Sequence, residues 1–324
     1  MDKQTTYKSN IYTHDDGSKV FILAMLLPFI VSFFASYIAG AIATGKGVEI
    51  EVITSSFWFV LVVSLVNVAM YVGIWMCYSK LKEISPMAVS FKPKMKWHTY
   101  LVVILLGVVM LMGLQYLVQA FENLLGLTGY PIDDSFGSID PQNVGEYFFA
   151  IFALALVPAF CEELIFRGIV FNGLRERFST RWALIISALA FTIVHGNLQQ
   201  LIYPFILGCL LGLIMARTGS LFASMVVHFV NNFIVVTMRF VENITGFSMQ
   251  LDGWILYLVA GIGLVAAFAV WLLVDKCYFK KKNKEEVEIT SQKTSSYLYI
   301  AFAIGAALYV LNVATYVISS GLAA

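Results

Sequence analysis

Long apolar runs alternate with short polar stretches along the whole chain, and the runs are close to 20 residues. That is the length an α-helix needs to cross about 30 Å of hydrocarbon. The pattern predicts nine spanning helices, at about 20–43, 56–78, 99–121, 147–172, 182–196, 201–216, 220–241, 254–275 and 296–318. The fifth and sixth are short, and Gly196-Asn197-Leu198-Gln199-Gln200 between them reads either as a tight turn or as the break in a re-entrant pair. The expected fold class is all-α, a polytopic transmembrane helical bundle. Its expected organisation is a tail at 1–19, helices at 20–143, a core at 144–242, an eighth helix at 243–275, a charged linker at 276–295 and an accessory helix at 296–324. No internal repeat stands out.

Composition agrees with the pattern. The 324 residues are 60% hydrophobic and 13% charged, against roughly half and a quarter in a soluble domain. The net charge of +1 gives no reason to expect a nucleic-acid partner, whereas the placement of charge is informative. With the N-terminus inside and the helices alternating, every Lys and Arg except Lys46 and Arg239 falls on the inner side. This is the positive-inside bias of an odd number of spans, and it predicts a cytoplasmic N-terminus in a plasma-membrane protein. The polar stretch to Lys19 leads into a long apolar run without a small-residue cleavage site, so the first helix is expected to be retained. Cys77, Cys161, Cys209 and Cys277 show no metal spacing and read as reduced, space-filling residues. The run 276–293 reads as a solvated inner linker, and Asn243-Ile244-Thr245 is a weak glycosylation match.

Three segments break the apolar pattern: Glu162-Glu163-Leu164-Ile165-Phe166-Arg167, Phe191-Thr192-Ile193-Val194-His195 and His228-Phe229-Val230-Asn231-Asn232. A charged side chain at bilayer depth costs a few kcal/mol or more and persists where it pairs or does chemistry. Glu163 and Arg167 stand i,i+4 with the acid first, the favourable order for a pair on one helix face. Glu162 is rotated about 100° away, which assigns the structural clamp to Glu163–Arg167 and leaves Glu162 facing the site. Phe191 and His195 share a helix face, as do His228 and Asn232, with Asn231 close by. A carboxylate and an imidazole can deprotonate a water, and a second imidazole with an amide can stabilise an oxyanion. Glu162, His195 and His228 also form a possible zinc ligand set. The chain has no HExxH, GxSxG, GxGxxG or P-loop.

The ordered set EExxxR, FxxxH and HxxxN over about residues 145–242 resembles the CPBP family of intramembrane CAAX proteases and bacteriocin-processing enzymes, also called Abi or type II CAAX endopeptidases. The resemblance implies an all-helical bundle with a conical cavity and a peptide-bond hydrolase activity. It places water activation on Glu162 and His195, the oxyanion hole on His228 and Asn232, and supporting roles on Glu163 and Arg167. The family is labelled metalloprotease, and a zinc enzyme and a metal-free glutamate mechanism both remain open on the sequence. The implied partners are the lipid bilayer and a peptide or protein substrate, with lipidated proteins and leader peptides among the candidates. A non-proteolytic membrane regulator on the same fold is the alternative. A transporter with a buried proton relay is a weaker one, since its polar residues would recur in both halves of the chain.

Counting from the inner face, His195 lies deeper than Glu162 unless the fourth helix continues inward through Phe171 to Arg177.

Overall fold

The computed structural model describes residues 12–84, 97–132, 139–248, 250–274, 276 and 294–323. Among these, each of the nine expected segments is a helix and no strand is present. The helices are α1 (His14–Lys46), a short α2 (Ile50–Thr54) that the pattern did not suggest, α3 (Phe57–Leu81) and α4 (Trp97–Gly126). They continue with α5 (Val144–Arg177), α6 (Thr180–Ile193), α7 (Ile202–Thr218), α8 (Leu221–Thr245), α9 (Gly253–Val274) and α10 (Ser296–Ala323). By length and composition α1, α3, α4, α5, α8 and α10 are able to cross a membrane. The chain is thus an integral membrane protein built as a helical bundle. The linker at 277–293, Cys277 and the residues before Tyr12 lie outside the described residues. Cys77, Cys161 and Cys209 are free thiols, as expected.

Local sequence sets several helix ends. Thr13 caps α1, accepting from the Asp16 amide, while Asp16 in return accepts from Thr13, a reciprocal capping box. Asn143 caps α5 through the Glu146 amide. Gly47, Gly219 and Gly246 close α1, α7 and α8 in the left-handed region, which glycine enters without steric cost.

The centre of the bundle is α5. Leu164, Ile165, Phe166, Ile169, Val170 and Phe171 are all buried, in one cluster with residues of α1, α3, α6, α8 and α10. Outer helices instead turn large apolar side chains such as Phe33, Tyr37, Trp58 and Val265 outward, as a lipid-facing surface requires. A polar latch ties one end of the bundle together. Tyr12 bonds Ser79 at 2.5 Å, Tyr78 donates to Asp16 at 2.9 Å, and the His14 amide donates to Glu176 at 2.6 Å. These contacts join α1 to α3 and α5. At the other end Arg239 and Asn243 of α8 both hold Asp140, at 2.9 and 2.7 Å, fixing the entry to α5. The Asn243 amide is therefore already engaged.

Close helix approach relies on small residues, which let backbones meet where lipid supplies no hydrophobic drive. On α4 a Cβ at Gly113 would sit 2.7 Å from the Gly263 carbonyl oxygen of α9, whereas one at Gly261 would meet nothing within 4 Å. Gly113→Leu is expected to lower folded yield and thermal midpoint, at a cost of roughly 1–3 kcal/mol or more because backbone cannot yield, while Gly261→Leu leaves both unchanged. Thermal denaturation of detergent-purified variants checks this; equal midpoints would refute the α4–α9 contact.

Candidate active site

The 34 residues of α5 form one unbroken helix interrupted in type, not direction, by two π-helical segments, Ile151–Leu156 and Phe166–Phe171. They bracket the α-helical stretch Val157–Ile165 that carries both glutamates. Because α5 runs on to Arg177 and α6 begins at Thr180, Glu162 and His195 each lie roughly 20 Å from the same interhelical turn. The depth mismatch apparent in the sequence is removed by this long helix.

Glu163 and Arg167 are the most buried charges among the described residues. Their side chains are 0% and 1% exposed and their salt bridge measures 2.7 Å. Two further groups solvate Glu163: its second oxygen accepts from the Ser224 hydroxyl of α8, and its first accepts from His228 Nδ1 at 2.9 Å. Arg167 donates to the Gly208 carbonyl of α7 at 3.2 Å and stacks its guanidinium 4.4 Å from the centre of the Phe191 ring. A Cβ on Gly208 would lie 3.1 Å from Ala188 of α6, so the missing side chain brings α7 close enough to offer that carbonyl. A fully buried ion survives only with this density of partners.

Glu162 stands apart from its neighbour. Its side chain is 22% exposed, and Oε2 lies 3.9 Å from His228 Nε2. That gap is too long for a hydrogen bond and is one a water can bridge. His195 sits in the turn just past α6, with Nδ1 2.7 Å from the Phe191 carbonyl oxygen. A carbonyl only accepts, so Nδ1 donates in this contact and Nε2 points away from it. Phe191 is the common neighbour of the site: its ring packs against His195 at 4.8 Å, His228 at 6.1 Å and Phe166 at 5.3 Å between centroids. Asn232 donates from Nδ2 to the Leu154 carbonyl at 3.1 Å, and its oxygen accepts from Asn231 at 2.9 Å. Leu154 belongs to the first π segment, whose i→i+5 bonding departs from the α-helical ladder. One N–H of Asn232 remains for another acceptor.

The structure thus gathers Glu162, Glu163, Arg167, His195, His228 and Asn232 around Phe191 and the central part of α5. It does not converge Glu162, His195 and His228 on one point: among the described residues no three His, Cys, Asp or Glu side chains are placed to hold a metal ion. The donor set does not fit zinc in this arrangement. Sequence reasoning missed Ser224 and Gly208. Ser224 was visible, one turn before His228 on the same face of α8; a backbone carbonyl such as that of Gly208 leaves no mark in a sequence.

Comparison with known proteins bears on the same region. The family model described as Type II CAAX prenyl endopeptidase Rce1-like matches residues 144–234. A relative named "Putative membrane peptidase YdiL" from Bacillus subtilis (strain 168) is 29% identical over 114 residues, covering 35% of this chain. The match spans 46% of that protein, a little under half its length. No solved structure matches.

Unequal burial of the two glutamates predicts unequal effects. Glu163→Gln strands a buried guanidinium and is expected to cost about 3–5 kcal/mol, visible as loss of detergent-extractable folded protein. Glu162→Gln is expected to retain native yield. Matching yields and thermal midpoints for the two variants would overturn the assignment of Glu163 as the clamp.

Proposed function

We propose that this chain, a CAAX/CPBP-family protein through residues 144–234, is an intramembrane endopeptidase that hydrolyses a peptide bond of a membrane-associated peptide or protein. The observation that carries the reading is the division between adjacent carboxylates. Glu163 is consumed by an ion pair and two hydrogen bonds, while Glu162, one residue earlier, stays partly open beside a histidine. A purely structural cluster has no use for the second, open acid.

In the proposed reaction Glu162 and the Nε2 atom of His195 take the proton of a water, which attacks the scissile carbonyl carbon. The oxygen of that carbonyl becomes an oxyanion, received by His228 Nε2 and by the second N–H of Asn232. Since Nδ1 of His228 already faces the Glu163 carboxylate, donation from Nε2 requires the ring to carry both protons. Collapse of the tetrahedral species returns a proton to the departing amine. Phe191 orients His195 through its carbonyl and walls the site with its ring. Substrates of this chemistry include lipidated proteins and leader peptides, reached from the bilayer, with the N-terminus cytoplasmic in a plasma membrane.

Membrane peptidomes of cells carrying the native protein or Glu162→Gln test the activity: a peptide set present only with the native chain is expected, and identical peptidomes would sink the peptidase reading. On such a peptide, Asn232→Ala is expected to lower kcat by roughly 10²–10³-fold with little change in KM, because the oxyanion exists only near the transition state.

The ligand geometry also supports a metal-free mechanism. Turnover is expected to persist after exhaustive chelation, with no stoichiometric metal by elemental analysis; an activity-linked metal would reassign His195 and His228 as ligands.

A further inference from the structure

The helix α10 was expected to be an accessory, since 296–318 carries no Asp, Glu, Lys, Arg or His. Its contacts are not those of a bystander. Gly305, Tyr309, Asn312 and Tyr316 stand at i, i+4, i+7 and i+11, one face of a helix. That face meets the turn bearing His195. A Cβ on Gly305 would lie 2.7 Å from Ile193 Cγ2, at the end of α6. The Tyr309 hydroxyl donates to the Asn197 carbonyl at 3.1 Å. Gly196, at φ 62°, leaves room for Asn312, whose Nδ2 would stand 2.5 Å from a Cβ there. Tyr316 packs against Tyr130 at 5.7 Å, and Tyr130 donates back to the Asn197 side chain at 3.3 Å.

Asn197 is therefore a hub. Its carbonyl accepts from the Gln200 amide and from Tyr309, and its side-chain oxygen accepts from the Gln199 amide and from Tyr130. Two of the four donors come from outside the turn. Such support is needed here, because His195 has already left α6 and its amide keeps only a turn bond to Thr192. A short irregular segment beside a bilayer keeps one conformation when its carbonyls have partners in the protein.

We infer that Tyr309 and Asn312 of the last helix are positioning residues for the reaction: they brace the Gly196-Asn197 turn and so fix the imidazole of His195. The inference rests on the peptidase reading for the purpose of His195, and on geometry alone for the brace. It extends the working site beyond the family-matched segment, to a helix delivered after the charged linker.

The test uses full-length protein in detergent with ring-labelled histidine, the His195 signal being the one lost in His195→Gln. Tyr309→Phe keeps the ring and deletes the hydroxyl. It is expected to move or broaden the His195 Nδ1 and Cε1 signals and leave those of His228 in place. Asn312→Ala, at an exposed position, is expected to do the same, while Tyr299→Phe on the outward side of α10 moves neither. An unchanged His195 signal in both test variants overturns the brace, as does a shift of His195 and His228 together, which marks general loosening. These spectra decide the matter even if the peptidome comparison finds no substrate. With a substrate in hand, kcat of Tyr309→Phe is expected to fall about 10-fold or more, the scale of a small misplacement, at nearly constant KM; a change confined to KM counts against positioning.

Discussion

Everything around the candidate active site is arranged to keep one ion pair, Glu163–Arg167, out of water. Moving two such charges into a low-dielectric interior costs several kcal/mol for each ion, and a single salt bridge does not return that amount. The remainder comes from groups drawn from three other helices: Ser224 and His228 of α8, the Gly208 carbonyl of α7, and the Phe191 ring of α6. Hydrogen bonds to a charged group contribute about 1.5–3 kcal/mol each and a desolvated cation–π contact about 2. The pair is thus held only where four helices meet in one register. That same register brings His228 within reach of Glu162 and packs Phe191 against both histidines, so the solvation of the clamp also assembles the site.

The adjacency of the two glutamates matters for the same reason. Consecutive residues on a helix point about 100° apart, so one carboxylate enters the ion pair while the next faces the opening, with no backbone rearrangement between them. The partly open carboxylate is fastened directly to a fully buried ion pair. Rigid support of this kind is what a reactive constellation requires, since small displacements of its members carry large rate penalties.

Much of this was legible in the sequence where the controlling physics is local. Run length placed the nine helices, and the i,i+4 spacing paired Glu163 with Arg167, as found at 2.7 Å. The division between Glu162 and Glu163 followed from helical phase and agrees with their exposures. What could not be read depends on partners distant in the chain. Whether the fourth helix runs to Arg177 is settled by its packing against α1, where Gly17 and Gly173 meet backbone to backbone. The zinc set looked plausible by residue type, yet type does not fix convergence, and the side chains do not converge. The last helix was undervalued because charge was taken as the marker of a working helix. Tyrosine and asparagine make its contacts, and their regular spacing was the signal available.

The two π segments of α5 have a consequence for how its chain length can change. An i→i+5 turn holds more residues than an α turn, so Ile151–Leu156 acts as a phase shift between the anchored loop at Asp140 and the glutamates. Restoring the α pitch there with all six residues kept would rotate everything upstream by about 100° relative to Glu162. The Leu154 carbonyl would turn away from Asn232, and Asp140 from Arg239. Between Glu146 and Glu162 residue number and helix type are therefore coupled: a chain shorter by one residue in this interval keeps the same phase by running as a plain α-helix where this one has a π segment.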